Sequence, residues 1–189
     1  TNVQAAWNRN LRGDGVKIAV IDSGIAQHED MEIAGGTSLV SYTSSYNDDT
    51  GHGTHVAGII SALNNDYGTT GVASEAEIYA VKVLKNTGTG SLTDIIAGFD
   101  WAIEQGVDII NASLGTTYNS VAFKQRVDEA KEKGIIVVAA AGNTGNEMRY
   151  PALYDSVVAV SATNDQNQLA TFSSRGVNID LSAPGQNVM

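Results

Sequence analysis

Apolar residues along this chain fall into short β-branched runs separated by longer stretches of helical period. Residues 16–21, 77–83, 107–112, 135–140 and 157–162 are the runs, and they predict strands. Residues 91–105 and 120–133 predict helices. Ser91 and Ser120 stand at the N-cap positions, and Gly106 and Gly134 lie just past the C-terminal ends. Strands alternating with helices imply an α/β fold, an open, mostly parallel sheet with helices on both faces. In such sheets chemistry gathers where strands end at their carboxyl side. Three loops stand out on that ground: Asp22-Ser23-Gly24, Asn111 to Gly115, and Gly142-Asn143. No repeat, low-complexity tract or linker interrupts the pattern, so residues 1–189 are expected to form a single domain.

Composition narrows the function classes. With 42% apolar residues and 20 glycines in 189, the chain can bury a real core. It has no cysteine, which excludes disulfides, zinc thiolates and a cysteine nucleophile. A net charge of −10 disfavours a nucleic-acid partner, because phosphate backbones reward clustered positive charge. Acids in polar loops, such as Asp14 and Asp48-Asp49, read as a solvated surface or as cation ligands. The longest apolar run, residues 135–141, is too short to cross a bilayer, so a soluble protein with no membrane partner is expected. The sequence opens without the basic, apolar and small-residue pattern of a signal peptide.

Asp22 follows the apolar run Ile18-Ala19-Val20-Ile21, where a buried carboxylate needs a donor, either a local amide or a distant imidazole. His52 and His55 lie in Gly51-His52-Gly53-Thr54-His55-Val56-Ala57-Gly58, whose small residues let a helix start close to another backbone. The two histidines read either as packed core residues or as a site. They lack the glutamate and the i, i+4 spacing of the helical zinc-protease signature. An Asp22–His52 pair would hold the imidazole tautomer and support its transient protonation, which is what a general base needs.

The segments Val20-Ile21-Asp22-Ser23-Gly24, His52-Gly53-Thr54-His55-Val56-Ala57-Gly58 and Ala139-Ala140-Ala141-Gly142-Asn143 resemble, in order, the aspartate, histidine and oxyanion-asparagine motifs of the subtilisin family of serine peptidases. The resemblance implies that Asp22 orients, His52 is the general base, Asn143 donates its amide to the oxyanion, and His55 either supports these residues from behind or is structural. It implies peptide-binding edges at Gly88-Thr89-Gly90 with Leu92 and at Ser113-Leu114-Gly115, whose backbone can pair with an extended protein or peptide substrate. It implies a calcium site formed by Asp30 and the loop of Leu63, Asn65, Tyr67 and Thr69, whose oxygens suit a hard cation. The family adds a glutamine from a position ahead of Thr1. Tyr150-Pro151-Ala152-Leu153-Tyr154 resembles the segment beside the specificity pocket, where the family has a cis proline and a weaker cation site.

The family's nucleophile lies in a Gly-Thr-Ser-Met-Ala motif beyond the Ser182-Ala183-Pro184-Gly185 segment, so the serine is expected downstream of Met189. The domain is then incomplete at its C-terminus and short at its N-terminus, inactive alone, and completed by a C-terminal segment that carries the serine. Gly36-Thr37-Ser38-Leu39 repeats three letters of that motif, but it leads into Val40-Ser41-Tyr42 instead of an alanine-rich helix, so Ser38 is not expected to be the nucleophile. The expected function is serine endopeptidase, extracellular by resemblance, with a cytoplasmic location open. The alternatives are a non-catalytic peptide-binding pseudo-protease and a nucleotide-binding α/β domain. Asp22-Ser23-Gly24 lacks the glycine-rich phosphate fingerprint that the last of these requires.

Overall fold

The structure is a computed structural model that describes residues 2–188. These form α1 (Gln4–Trp7), β1 (Lys17–Asp22), β2 (Ile33–Ser38), α2 (His52–Ser61), β3 (Glu77–Lys82), α3 (Leu92–Glu104), β4 (Ile109–Ala112), α4 (Val121–Glu132), β5 (Ile136–Ala140), β6 (Val157–Thr163) and β7 (Leu181–Pro184). The fold is the expected α/β class with parallel strand pairing. Contacts divide the chain into two compact units, Asn2–Ile110 and a second that begins at Asn111.

In the first unit β1 and β2 both pair in parallel with β3, and the register brings Asp22 and Ser38 level with Lys82 at the carboxyl ends. Strand β1 is apolar on both faces because both are covered. Ile18, Val20, Ile78 and Ala80 form a core with Ala57 of α2. On the other side, Gly98 of α3 packs so closely that a Cβ there would meet Val83 and Val81 at 2.8 and 3.2 Å. Ser91 caps α3, its hydroxyl accepting from Asp94 N, as its position predicts.

In the second unit β6 pairs in parallel with β5 and β7. Helix α4, capped by Ser120, brings the buried Phe123, Val127 and Ala130. One side of the strands, with Val137, Ala139, Val157 and Ala159, is buried. The alternate residues Ile136, Val138, Ala140, Val158, Val160 and Leu181 belong to the opposite side, with Ile136 52% and Leu181 59% exposed. On that side Ile136, Ala140 and Leu181 are exposed and Val138, Val158 and Val160 are only partly buried.

Two strands escape the hydrophobic pattern. Strand β2 contains Gly35-Gly36, and a Cβ on Gly36 would lie 2.5 Å from Ala80 O and 2.9 Å from the Tyr46 ring, so close packing selects glycine over the usual strand residues. Strand β7 is short and ends in Pro184. Val40 to Tyr42, which the sequence leaves as strand-like or irregular, is irregular: the strand ends at Ser38 and a bend and turn follow.

Candidate active site

Strand β1 ends on Asp22, which is fully buried. Its Oδ1 accepts from Ser23 N at 2.7 Å and lies 2.7 Å from His52 Nδ1. Helix α2 starts at His52, and two glycines let it start there. A Cβ on Gly53 would lie 2.2 Å from Gly24 O, and one on Gly24 would lie 2.2 Å from Tyr46 O. The Asp22 contact fixes the proton on Nδ1, leaving the Nε2 lone pair of a half-exposed ring to take a proton. His52 is raised above the ordinary imidazole pKa of 6.5, first by the Asp22 hydrogen bond, against burial, and then by the charges of Asp22 and Asp48. A base so held can deprotonate a hydroxyl near neutral pH.

Gly51 gives α2 no side-chain cap. The first three amides are satisfied from outside the helix instead: His52 N donates to Thr50 Oγ1, Gly53 N to Ser23 Oγ and Thr54 N to Asp48 Oδ2. Asp48 is only 8% exposed, which corrects its reading as a solvated surface acid. Burial works against its charge, but donors from Thr50, Thr54 and Ser23 outweigh that and bring its pKa from 3.8 down to about 2. Asp49 pairs with Lys82 Nζ at 2.8 Å, and the same ammonium, fully buried, donates to Ser23 O at 2.6 Å. Sequence reasoning gives neither Asp48 nor Lys82 a role at this site. An acid just ahead of a helix start, followed by Thr50 and Thr54, is the capping signal that finds the first. Lys82 ends a strand and carries no such mark.

Asn143 follows β5 and Gly142, whose φ is +116°. Its side chain is exposed and hydrogen-bonds nothing among the described residues. The backbone around it is anchored by Ser174 N to Gly142 O at 2.9 Å and Gly145 N to Phe172 O at 2.8 Å. Ser113, Leu114 and Gly115 run out of β4 with no backbone hydrogen bond among the described residues, until Thr116 exchanges a pair with Tyr150. Arg149 passes between Gly115 and Gly142, where added Cβ atoms would meet it at 2.8 and 2.9 Å. Met148 is buried, and the Tyr150-Pro151 peptide is cis. Gly88, Thr89 and Gly90 form an exposed turn in which Lys85 N donates to Thr89 O, and Leu92 opens α3.

Asp30 is buried. Its Oδ2 accepts from Thr69 N at 3.1 Å, and its Oδ1 has no hydrogen-bond partner among the described residues. A Cβ on Gly68 would lie 2.3 Å from Asp30 Oδ2, so the loop wraps the carboxylate as only glycine permits. Leu63 N donates to Asp30 O, and Asn65 Oδ1 accepts from Tyr67 N. The orphaned carboxylate oxygen beside a loop of carbonyls fits a hard cation. Among the described residues no three His, Cys, Asp or Glu side chains are grouped to hold a metal, so backbone and amide oxygens would supply the rest. Ser38 Oγ donates to Thr43 O at 2.9 Å, committed to its own loop at the end of a strand.

The model of the subtilase family matches residues 13–189. The chain belongs to the subtilase family. Among subtilases, it is 56% identical to the "Minor extracellular protease Epr" of Bacillus subtilis over 98% of the chain and 29% of that protein. It is 50% identical to the "Thermostable alkaline protease" of Halalkalibacterium halodurans, covering 99% of the chain and 52% of the relative. It is 49% identical to "Subtilisin Savinase" of Lederbergia lenta, covering 97% and 69%. The chain thus spans well under two thirds of the first two of these subtilases. Among the described residues no helix is long and apolar enough to cross a membrane.

Proposed function

We propose that the protein containing this chain is a secreted serine endopeptidase that cleaves extended protein substrates by acyl transfer. The observation that carries this is the 2.7 Å contact of His52 Nδ1 with the buried Asp22 carboxylate. In the reaction Asp22 holds the ring, and His52 Nε2 takes the proton of a serine hydroxyl as its oxygen attacks the scissile carbonyl. The Asn143 amide donates to the oxyanion, and His52 then returns the proton to the leaving amine. By the family resemblance, the backbone of Ser113 to Gly115 and the Gly88 to Gly90 turn with Leu92 are each an edge offered to an extended substrate. Secretion is supported by the similarity to a relative named as an extracellular protease.

The serine comes from a segment downstream of residue 189, and that segment covers the open apolar side of β5, β6 and β7. The exposure of Ile136 and Leu181 supports this. Calcium is held by Asp30 with oxygens of Leu63, Asn65, Tyr67 and Thr69, and when bound it supplies a positive charge that ties the loop to the carboxylate.

The test uses the full gene product. A serine-directed phosphonylating reagent should abolish peptide hydrolysis and label one serine beyond residue 189, and His52→Ala should prevent both. Peptide binding with no hydrolysis would instead make this a pseudo-protease.

A further inference from the structure

Asp48 lies at neither end of the Asp22–His52 contact, yet each of its carboxylate oxygens holds one side of it. Oδ1 accepts from Ser23 Oγ at 2.9 Å, and Ser23 follows Asp22 on the chain. Oδ2 accepts from Thr54 Oγ1 at 2.7 Å and from Thr54 N at 3.0 Å, and Thr54 sits two residues after His52 on α2. Thr50 N, on the approach to the helix, also donates to Oδ1 at 2.9 Å. Ser23 Oγ closes the ring by accepting from Gly53 N at 3.0 Å, next to His52. The carboxylate is therefore a clamp across the two chain segments that carry the pair. A buried anion with this many donors is costly to move, because each donor left behind would be buried unpaired.

We propose that Asp48 is a positioning residue for the Asp22–His52 pair, holding the imidazole against the Asp22 carboxylate through Ser23 and Thr54 and adding its own negative charge to the field at the ring. The proposal rests on the reading of Asp22 and His52 as orienting acid and general base. The charges that act on the ring are Asp22 from β1 and Asp48 from the segment before α2; Asp49, Lys82 and His55 are the other charged or titratable groups next to Asp48, at the end of β3 and on α2. Lys82 and Asp49 pair with each other, so Asp22 and Asp48 are the anions left to stabilise an imidazolium. Asp48 also faces the positive end of the α2 dipole, which would otherwise oppose a proton on His52. The direction of the His52 shift agrees with this balance.

The experiment follows the His52 ring by NMR titration in the full gene product, its own serine replaced by alanine to prevent self-digestion. It compares the parent with Asp48→Asn and Ser23→Ala, and measures kcat and KM in the serine-bearing forms. Asp48→Asn should move the imidazole titration and the acid limb of kcat/KM to lower pH, and lower kcat by about 10- to 100-fold with KM unchanged, the scale of a small misplacement. Ser23→Ala keeps both carboxylates, so it should lower kcat while the titration stays in place. A folded Asp48→Asn protein whose His52 titrates as in the parent overturns the proposal, since a purely structural role would lower the melting temperature alone. If Asp48→Asn does not fold, Ser23→Ala decides: unchanged kcat together with unchanged solvent exchange of the Nδ1 proton overturns it. Absence of peptidase activity in the parent would sink the proposed function, while the ring titration and its Nδ1 proton exchange would still decide the role of Asp48.

Discussion

At the scale of single residues, the charges at this site are kept where burial opposes them. Asp48 is paired with hydroxyl and amide donors, and its pKa of about 2 against an unperturbed 3.8 has a consequence for stability. The unfolded chain binds the proton more readily, so this contribution is complete above the unfolded value and disappears as pH falls toward 2. Acid unfolding should therefore steepen between about pH 4 and 2, and Asp48→Asn should flatten that limb in a calorimetric series. Asn143 is exposed and its side chain has no hydrogen-bond partner among the described residues, so in the proposed reaction it can donate to a charge that forms only in the transition state. Asn143→Ala should lower kcat by about 10² to 10³ with little change in KM, a magnitude carried over from subtilisin itself. An equal rise in KM would remove Asn143 from that role. Asp22, His52 and Asn143 stand out in the sequence because small residues crowd around them in motifs. Asp48 does not, since a carboxylate in a polar loop looks alike whether water or a ring of hydroxyls surrounds it.

At the scale of elements, the turn after α2 is shaped around Asp30 and not around an apolar core. Its defining feature is the closeness of Gly68 to the carboxylate, at a φ of +60°. If a cation fills the site at about 100 times its dissociation constant, it adds ~2.7 kcal/mol to stability. For a chain of this size that corresponds to about 5 to 10 °C. Chelator should lower the melting temperature of the full gene product by that much, and Gly68→Ala should lower it and make it insensitive to chelator. A melting curve identical with and without chelator, with no calcium by elemental analysis, removes the site. The predicted strands and helices match β1, β3 to β6, α3 and α4 because their periodicity reflects burial against a neighbour. Strand β2 is illegible for the converse reason: its glycines are chosen by Ala80 and Tyr46, which are distant in sequence.

For the whole molecule, the proposed serine-bearing segment accounts for the exposed Ile136 and Leu181 of β5 and β7. Residues 1–189 alone should not hydrolyse peptides and should bind a hydrophobic dye through Ile136 and Leu181. Adding the downstream segment, fused or as a second polypeptide, should quench the dye and restore hydrolysis. Activity in residues 1–189 with the label on Ser38 would overturn this. Sequence shows which segments resemble the family's motifs but not which side of the strands stays exposed, because Val157 to Val160 of β6 read as one apolar run whether one side or both are covered.

The whole molecule also carries its own gauge of opening in Lys82. Its amine is fully enclosed, pinned between Asp49 and the Ser23 carbonyl, while Lys124 and Lys133 project to water with half of each side chain accessible. An acetylating reagent in brief pulses should modify those two lysines at once and reach Lys82 only when the segment from Leu39 to Gly51 lifts away. Mass spectrometry of the peptide containing Lys82 would then time that motion directly, on intact protein and with no introduced probe. Because the same segment carries Asp48, the acylation clock of one lysine would report how often the clamp on the histidine is released.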